Sequence, residues 1–303
     1  MASANASLAQ AYAACVSLAR THYENFPVAS RALPRRMRPH VAAVYAFARV
    51  ADDFADEGDR SPDERHRLLD QWLARLHASV DGSGSPRQDR RGPQPTEHEA
   101  LFLALGHTIR VCKLPVSLFE DLLSAFRQDI TTHRYATWDE LLDYCRRSAN
   151  PVGRLVLRIA GYEDPVLDRA SDRLCSALQL TNFWQDLQRD FRRGRVYVPT
   201  ADQEACAASL ADLAARRLTP EWRCALARVS SRTRALFEGG RGVCDGVRGR
   251  LRFELRLTWL GGMRILSRVE DAGYDVFDAR PALGVADGLS ILWQAVTWRS
   301  RGS

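Results

Sequence analysis

The sequence predicts an all-α protein. Helix-start signals recur along the chain, apolar residues follow them at helical spacing, and no convincing alternation of apolar and polar residues indicates a strand. The chain has 303 residues, of which 46% are hydrophobic, which is enough to bury a substantial core. We therefore expect a folded globular protein built from helices.

Three segments carry strong helix-start signals. In "SPDERHRLLDQWLARL", Ser61 is placed to cap the helix and Glu64 to complete a capping box. "TWDELLDYCRRSA" repeats this arrangement with Thr137 and Glu140. "TPEWRCALARVSSRTRALFEGG" begins at Thr219 and ends at a glycine pair. Each segment is predicted to form a helix.

One segment, residues 81–99, interrupts the helical pattern. Its sequence, "DGSGSPRQDRRGPQPTEHE", is rich in glycine, proline, serine and charge, a composition shared by interdomain linkers and surface loops. The residues on both sides have the same helical character. This favours a mobile surface loop within a single domain that spans residues 1–303.

The charge distribution argues against a nucleic-acid partner. The formal net charge is +6 and the pI is about 9.1. The arginines are nevertheless spread along the whole chain, and Lys113 is the only lysine. Nucleic-acid sites have clustered basic residues, so we expect no nucleic-acid binding.

The cysteines and the N-terminus predict a cytoplasmic protein. The seven cysteines are an odd number without a C-x-x-C pair, a pattern typical of free thiols in a reducing compartment. The first twenty residues have no positive charge before their apolar part, so we expect no secretory signal. No run of eighteen apolar residues indicates a membrane span.

A first acidic segment, "YAFARVADDFADEGD", runs directly on from apolar residues. Residues three and four apart share a helix face. One polar stripe therefore contains Tyr45, Arg49, Asp52 and Asp56, while Asp53 lies beside it. A solvated surface is the ordinary explanation for such a stripe, and the D-x-x-x-D spacing recurs elsewhere in the chain. Spacing alone does not identify a site.

A second segment, "QLTNFWQDLQRD", is more specific. Its polar residues are in register on a helix with apolar flanks: Gln179, Asn182, Asp186 and Asp190. Carboxylates and amides in this arrangement suit Mg²⁺, which binds one or two carboxylates together with phosphate oxygens. Two such helices facing each other across a cavity would hold a diphosphate between metal ions.

This arrangement suits the ionisation of an allylic diphosphate. The metal ions would neutralise the leaving group, and apolar walls would keep water from the carbocation. Motifs of serine hydrolases, zinc proteases, dinucleotide-binding proteins and P-loop proteins do not occur in the sequence.

The motifs resemble those of the squalene and phytoene synthase family of head-to-head prenyl-coupling enzymes. The resemblance rests on "YAFARVADDFAD", "YCRRSANPVG" and "LQLTNFWQDLQRDFRRGRVYVP", and it extends from about His22 to Phe277. It implies an all-α, single isoprenoid-synthase (terpenoid synthase) domain with a central active-site cavity. Within the family, these motifs are most similar to those of the bacterial hydroxysqualene synthases of hopanoid pathways.

The resemblance implies roles for individual residues. Arg49 matches an arginine that contacts diphosphate, and Tyr144 a tyrosine that steers the cation, although a core tyrosine is the alternative. Gln179 and Asn182 match the polar face of the second helix, and Tyr45 lies on the first stripe. The implied Mg²⁺ ligands are Asp52, Asp53, Asp56, Asp186 and Asp190.

The resemblance also implies presqualene diphosphate as substrate, Mg²⁺ as cofactor and water as the group that captures the final cation. We expect Asn150, together with Ser148, to position this water; the alternative is that Asn150 caps a helix break before Pro151. Arg195 in "GRVYVP" is expected to lie over the diphosphate, whereas Arg192 and Arg193 are equally explained as a solvated loop.

The C-terminal segment "LSILWQAVTWRSRG" has two interpretations. Trp293, Trp298, Arg299 and Arg301 suit peripheral contact with a membrane, and a packed terminal helix explains Ile291, Leu292 and Val296 equally well.

Two other functions stay open at this point. The first is condensation of two prenyl diphosphates to presqualene diphosphate or a phytoene-type product, and the second is a non-catalytic role in assembly. Loss of the aspartates would indicate the latter, and both aspartate motifs are intact.

Overall fold

The structure is a computed structural model that describes residues 2–21, 33–81, 96–277 and 280–299. Within these ranges the chain forms α-helices and no β-strand, apart from one isolated bridge between Arg134 and Val196. The prediction of an all-α protein is confirmed. The helices are α1 (Ala2–Thr21), α2 (Arg38–Asp56), α3 (Pro62–Asp81), α4 (Glu97–Cys112), α5 (Val116–Asp129), α6 (Trp138–Ser148), α7 (Asn150–Ala160), α8 (Pro165–Gln185), α9 (Leu187–Arg192), α10 (Thr200–Ala205), α11 (Leu210–Ala214), α12 (Pro220–Gly240), α13 (Gly242–Gly246), α14 (Gly249–Asp271) and α15 (Val285–Val296).

The predicted helix starts are confirmed. The hydroxyl of Ser61 accepts from the backbone N–H of Glu64 at 3.3 Å, and the Glu64 carboxylate accepts from the N–H of Ser61 at 2.8 Å, which completes the capping box of α3. The hydroxyls of Thr137 and Thr219 likewise accept from the N–H groups of Glu140 and Trp222 and so cap α6 and α12. The Glu140 carboxylate accepts from the N–H of Ala136 at 2.8 Å, one residue before the position that the predicted box requires. The third of these helices ends at Gly240, as the glycine pair predicts.

The predicted loop at residues 81–99 is wrong at its ends. Asp81 is the last residue of α3, and Thr96 forms a capping box with Glu99 that starts α4. The segment "TEHE" is thus the start of a helix. Its charged residues continue the composition of the loop before it, which is why the sequence pattern assigned it to the loop. Residues 82–95 lie outside the described residues, so the predicted mobility of the loop stays a prediction.

The described chain forms two compact units, and a single domain over residues 1–303 stays a prediction. The first unit comprises residues 1–131 and 154–163. Its core is aromatic: the ring of Phe47 on α2 lies 5.9 Å from Trp72 and 5.4 Å from Phe119, and the indole N–H of Trp72 donates to the Phe47 carbonyl at 3.3 Å. Asp56 lies nine residues after Phe47, about 180° around the helix. The core therefore directs the acidic face of α2 outward.

Arg65 on α3 holds the C-terminal end of α2. Its guanidinium donates to the carbonyls of Phe54 at 3.4 Å, Gly58 at 2.8 Å and Arg60 at 3.2 Å, and also to that of Ala55. The last carbonyls of a helix lack partners within the helix, and a cation there also interacts favourably with the helix dipole. This contact fixes the segment that bears the first aspartates.

The second unit comprises residues 132–153 and 164–303. Its central packing is between α8 and α12, where the fully buried Trp184 donates its indole N–H to the Thr233 hydroxyl at 2.9 Å. α14 packs against α8 and carries α15 on its surface. The apolar side of α8 is thus fixed in the core.

The cysteine prediction is wrong at one pair. Cys206, at the end of α10, forms a disulfide with Cys224 on α12, while the other five cysteines are free. The two cysteines are 18 residues apart in sequence, and the C-x-x-C spacing on which the prediction relied does not reveal such a pair. As expected, none of the helices described is both long enough and apolar enough to cross a membrane.

Candidate active site

The acids at the end of α2 are more accessible than their apolar neighbours suggest. The side chains of Asp52 and Asp53 are 40% and 31% exposed, and Asp56 is exposed. The aromatic core takes the opposite face of the helix, so this face is left partly open to solvent. The carboxylates can therefore reach solutes.

Arg49 neutralises part of this acidic set. Its guanidinium lies 3.4 Å from a carboxylate oxygen of Asp52, 2.6 Å from Asp53 and 2.7 Å from Glu57. Asp53, expected beside the stripe, makes the shortest contact because it follows Arg49 by four residues. The sequence interpretation missed Glu57, whose position two turns after Arg49 was the available signal.

Tyr45 lies one turn before Arg49 and is half-buried. Burial raises the pKa of its hydroxyl, with the positive charge of Arg49 acting in the opposite direction. The phenol therefore stays protonated at neutral pH and can act as a hydrogen-bond donor.

The second acidic set lies where α8 meets α9. The predicted continuous helix is wrong at one point: α8 ends at Gln185, and Asp186 (φ −102°, ψ 11°) separates it from α9. The helical hydrogen bonds continue on both sides, with Asp186 N–H to the Asn182 carbonyl at 2.9 Å and Asp190 N–H to the Asp186 carbonyl at 2.8 Å. Gln179 and Asn182 are both half-buried on the preceding turns.

Asp190 is the electrostatically unusual residue of this set. Burial raises the pKa of its carboxyl to about 7, and repulsion from Asp186 acts in the same direction. Arg195 gives the largest opposing effect, followed by Arg193 and Arg189. Arg195 is half-buried whereas Arg192 and Arg193 are exposed. That Arg195 lies over a diphosphate stays a prediction.

Arg280 contacts the second acidic set and was missed by the sequence interpretation. Its guanidinium binds both carboxylate oxygens of Asp186, at 2.7 and 3.0 Å. The side chain of Gln185 donates to the backbone carbonyl of Pro281 and holds the same segment. The two residues of the ion pair are 94 positions apart in sequence, and no local pattern connects them.

An aromatic cluster adjoins the second acidic set. The rings of Phe183 and Tyr197 are stacked, with centroids 3.6 Å apart, and Tyr144 lies 6.2 Å from Phe183 and 5.5 Å from Tyr135. Each of the four side chains is at most 8% exposed. Only Tyr144 was predicted. Phe183 lies in "NFWQD" and Tyr197 in "GRVYVP", whereas Tyr135 lies in neither motif. The close packing of these rings keeps water away from this part of the second unit.

Asn150 and Ser148 lie where α6 meets α7. The carboxamide oxygen of Asn150 accepts from the buried hydroxyl of Ser176 on α8 at 2.9 Å, and Asn150 itself is the first residue of α7. The hydroxyl oxygen of Ser148 is buried without a hydrogen-bond partner in the described chain. Such an atom is normally paired, which distinguishes this hydroxyl from the other polar groups at the junction.

Not every buried acid belongs to this site. Asp202 is almost fully buried, but Arg228 and Arg232 neutralise it at 3.1 and 2.9 Å. These three side chains line a recess of about 360 Å³ that contains none of the predicted site residues. Asp202 is therefore a structural ion-pair partner.

The residues present fit Mg²⁺. The candidate ligands are carboxylate oxygens, the hard donors that Mg²⁺ prefers, and they occur as a few carboxylates that leave coordination positions for phosphate and water. Asp190 and Asp186 repel each other in a partly buried place, and a cation would relieve this repulsion. Among the described residues, no group of three or more histidine, cysteine, aspartate or glutamate side chains forms a ready-made metal cage.

Comparisons with known proteins cover most of the chain. The squalene/phytoene synthase family pattern matches residues 19–286. A hydroxysqualene synthase from Sinorhizobium fredii is 37% identical over 82% of this chain and 80% of its own length, and one from Rhodopseudomonas palustris is 38% identical over 73% and 71%.

Solved structures agree on the fold. Squalene synthase HpnC from Alicyclobacillus acidocaldarius superimposes with a TM-score of 0.79 and 42% identity over 88% of this chain and 96% of its own. A dehydrosqualene synthase at 22% identity gives a TM-score of 0.80 over 96% and 97%, which supports the fold alone. The chain has the terpenoid-synthase helical fold that its motifs imply.

The raised pKa of Asp190 predicts a pH-dependent effect of Asp190→Asn. The free-energy cost of the buried carboxylate is absent below the unfolded pKa near 3.8 and complete above about pH 7. In metal-free protein we expect Asp190→Asn to raise the free energy of unfolding by about 1–4 kcal/mol at pH 8 and by less at pH 5. Thermal or urea unfolding in EDTA measures this. An equal effect at both pH values would contradict the assigned titration.

Proposed function

The chain belongs to the squalene/phytoene synthase family, and we propose that it converts presqualene diphosphate and water into hydroxysqualene and diphosphate. The chain is an enzyme of this family, whose members work on prenyl diphosphates. The hydroxysqualene synthase relatives support the particular reaction. The observation that carries the proposal is the carboxylate pair Asp186 and Asp190, whose mutual repulsion a cation would relieve.

The two aspartate sets are the proposed metal ligands. Bound Mg²⁺ would neutralise the diphosphate as it leaves with the bonding electron pair. The ligands are Asp52, Asp53, Asp56, Asp186 and Asp190. Arg49 supports the first set: its present contacts with acids show that its guanidinium reaches an anionic group at this end of α2.

Further polar residues are proposed to hold the diphosphate. The guanidinium groups of Arg49 and Arg195 provide fork-shaped donors for phosphate oxygens. The phenol of Tyr45 and the carboxamides of Gln179 and Asn182 provide neutral donors. The choice of Arg195 is supported by its electrostatic effect on Asp190. A guanidinium that lowers the pKa of this carboxyl is also near a diphosphate whose metal ion Asp190 would bind.

The aromatic cluster is proposed to protect the carbocation. Loss of diphosphate leaves a positive charge that water in the wrong place would quench. Tyr144 and Phe183 offer aromatic faces that stabilise this charge by cation–π attraction and exclude bulk water. Tyr135 and Tyr197 hold the two rings in place.

Asn150 and Ser148 are proposed to position the reacting water. A new C–O bond forms between this water and the rearranged cation, and the water loses one proton, so that hydroxysqualene and diphosphate are the products. Ser176 fixes the Asn150 carboxamide, which favours a defined orientation of the amide over a freely rotating one. The buried, unpartnered hydroxyl of Ser148 supplies a second contact for the water.

The proposed setting is the cytoplasm, with contact to the membrane in which the substrate and product dissolve. Presqualene diphosphate combines a long hydrocarbon with a charged headgroup, and hydroxysqualene keeps only a hydroxyl. Pathway enzymes that make the substrate and consume the product are the expected functional partners.

Turnover of presqualene diphosphate by the purified chain, with Mg²⁺ and without a reductant, tests the function. We expect hydroxysqualene and diphosphate as products, a loss of activity with EDTA, and a decrease in kcat of about 10³-fold or more in Asp186→Asn and Asp190→Asn, because diphosphate departure then lacks charge neutralisation. Asp172→Asn on the same helix α8 is the matched control and should keep its activity. Accumulation of presqualene diphosphate from farnesyl diphosphate would instead assign the chain to the condensation step.

The ion pair of Arg280 with Asp186 predicts an effect on metal affinity. Mg²⁺ must displace this guanidinium to use both carboxylate oxygens. We expect Arg280→Ala to bind Mg²⁺ about 3–10-fold more tightly in calorimetry without substrate, on the order of 1 kcal/mol. Arg189→Ala removes a charge near Asp190 without removing that bidentate contact and serves as the control. Equal or weaker binding by Arg280→Ala would show that the pair does not compete with the metal.

The water-positioning proposal predicts a change in product composition. We expect Asn150→Ala and Ser148→Ala to lower the ratio of hydroxysqualene to elimination and rearrangement products about tenfold, because the cation then persists without an oriented nucleophile. Ser176→Ala should give a smaller change in the same direction. Gas chromatography of single-turnover products measures this ratio. An unchanged rate and ratio in both Asn150→Ala and Ser148→Ala would remove these residues from water capture.

A further inference from the structure

The exposed apolar side chains of the chain are concentrated on one helix. Six of the eight large apolar side chains that are exposed among the described residues lie between Leu283 and Val296. Soluble proteins usually scatter such residues singly over the surface. The α15 apolar stripe, as we name it, consists of Val285, Leu289, Leu292, Trp293 and Val296, which are 85%, 67%, 47%, 70% and 66% exposed.

The stripe lies on one face of α15, turned away from the protein. At 100° per residue its members fall within an arc of about 100°. The opposite face packs on α14 through Asp287, Ile291 and Ala295, which are buried. Of the two sequence-based alternatives, packing therefore explains Ile291, while Leu292 and Val296 belong to the exposed side. Packing of the helix does not use the stripe.

The buried side of α15 contains the only acid of the helix. The carboxylate of Asp287 accepts from the N–H of Gly284 at 2.9 Å and from Arg264 and Arg268, both at 2.7 Å. These contacts hold the pKa of Asp287 well below its usual range. The outward face consequently presents no charge, as an interfacial helix requires.

Positive charge lies near both ends of α15. The side chains of Arg264 and Arg268 are each 41% exposed and share the single carboxylate of Asp287 under the first turn, and Arg299 is exposed beyond the last turn. Trp298 is not part of the stripe: it is half-buried, donates to Asp245 at 2.9 Å and lies under Arg241, whose guanidinium carbon is 4.2 Å from the ring centroid. Basic residues around an apolar face fit a surface of anionic headgroups.

We propose that the α15 apolar stripe inserts into the headgroup region of a membrane that contains anionic lipids. Trp293, with an apolar ring and a polar N–H, is suited to the boundary between headgroups and acyl chains. Arg299 beyond the last turn, and the positive charge of Arg264 and Arg268 in excess of the one carboxylate they share, would then attract the lipid phosphates. The reason for such contact rests on the proposed function, since a prenyl diphosphate and its uncharged product both partition into lipid. The membrane contact itself is inferred from the surface of α15 and does not depend on the proposed function.

Binding of the full-length protein to vesicles without substrate tests this inference independently of catalysis. We expect co-sedimentation with vesicles of equal parts phosphatidylcholine and phosphatidylglycerol, and weaker binding to pure phosphatidylcholine or at 0.5 M salt. Leu289→Gln with Trp293→Gln should reduce binding at least tenfold. The matched control, Val111→Gln with Val166→Gln, replaces exposed apolar residues of other helices and should bind as the unaltered protein does.

Two further measurements separate the outcomes. Circular dichroism and thermal unfolding verify that both double variants fold, and light scattering reports the oligomeric state. Equal vesicle binding by the α15 variant and the unaltered protein would overturn the proposal, as would absence of vesicle binding by the unaltered protein. The proposal would also be overturned if the unaltered protein and the control variant were dimers and the α15 variant were a monomer, because a second copy of the chain would then cover the stripe. Failure of turnover with normal vesicle binding would reject the proposed function and leave the membrane contact standing.

Discussion

Repulsion between Asp186 and a partly buried Asp190 is the constraint on which the candidate site depends. Two carboxylates close together in a place that solvent reaches poorly raise the free energy of the folded state. The chain tolerates this arrangement because Trp184 fixes α8 in the core, and because Arg195 and Arg280 supply positive charge nearby. Packing elsewhere thus maintains an acidic pair in which one carboxyl keeps a raised pKa, and groups with a perturbed pKa are concentrated at functional sites.

The negative charge of the first acidic set is accommodated in a different way. Asp52 and Asp53 are partly exposed, and Arg49 neutralises them within a single helix. Their carboxylates therefore keep much of their contact with water. A cation that meets the first set must compete with an arginine, whereas at the second set it also relieves repulsion. The two sets share a residue type and spacing but differ in electrostatic character.

Local chemistry was predictable from sequence, and long-range pairing was not. The caps at Thr137 and Thr219 were predicted because each lies three residues from its partner, and the aspartates because the helical period places them on one face. Arg280 and the disulfide partner Cys224 could not be found in this way, since their partners are remote in sequence. Tyr197 belongs to a quoted motif, but only the fold reveals that its ring stacks on Phe183. The exposure of Asp56 likewise follows from the direction in which Phe47 anchors α2.

The contact between Arg65 and the end of α2 bears on how variation among related proteins is interpreted. One guanidinium serves four backbone carbonyls, and a lysine, whose donors radiate from a single nitrogen, cannot reproduce that fork. The placement of the first aspartates therefore depends on a side chain outside their motif. Two proteins with identical aspartate motifs can differ in the order of this helix end, so an intact motif is not by itself a measure of an intact site.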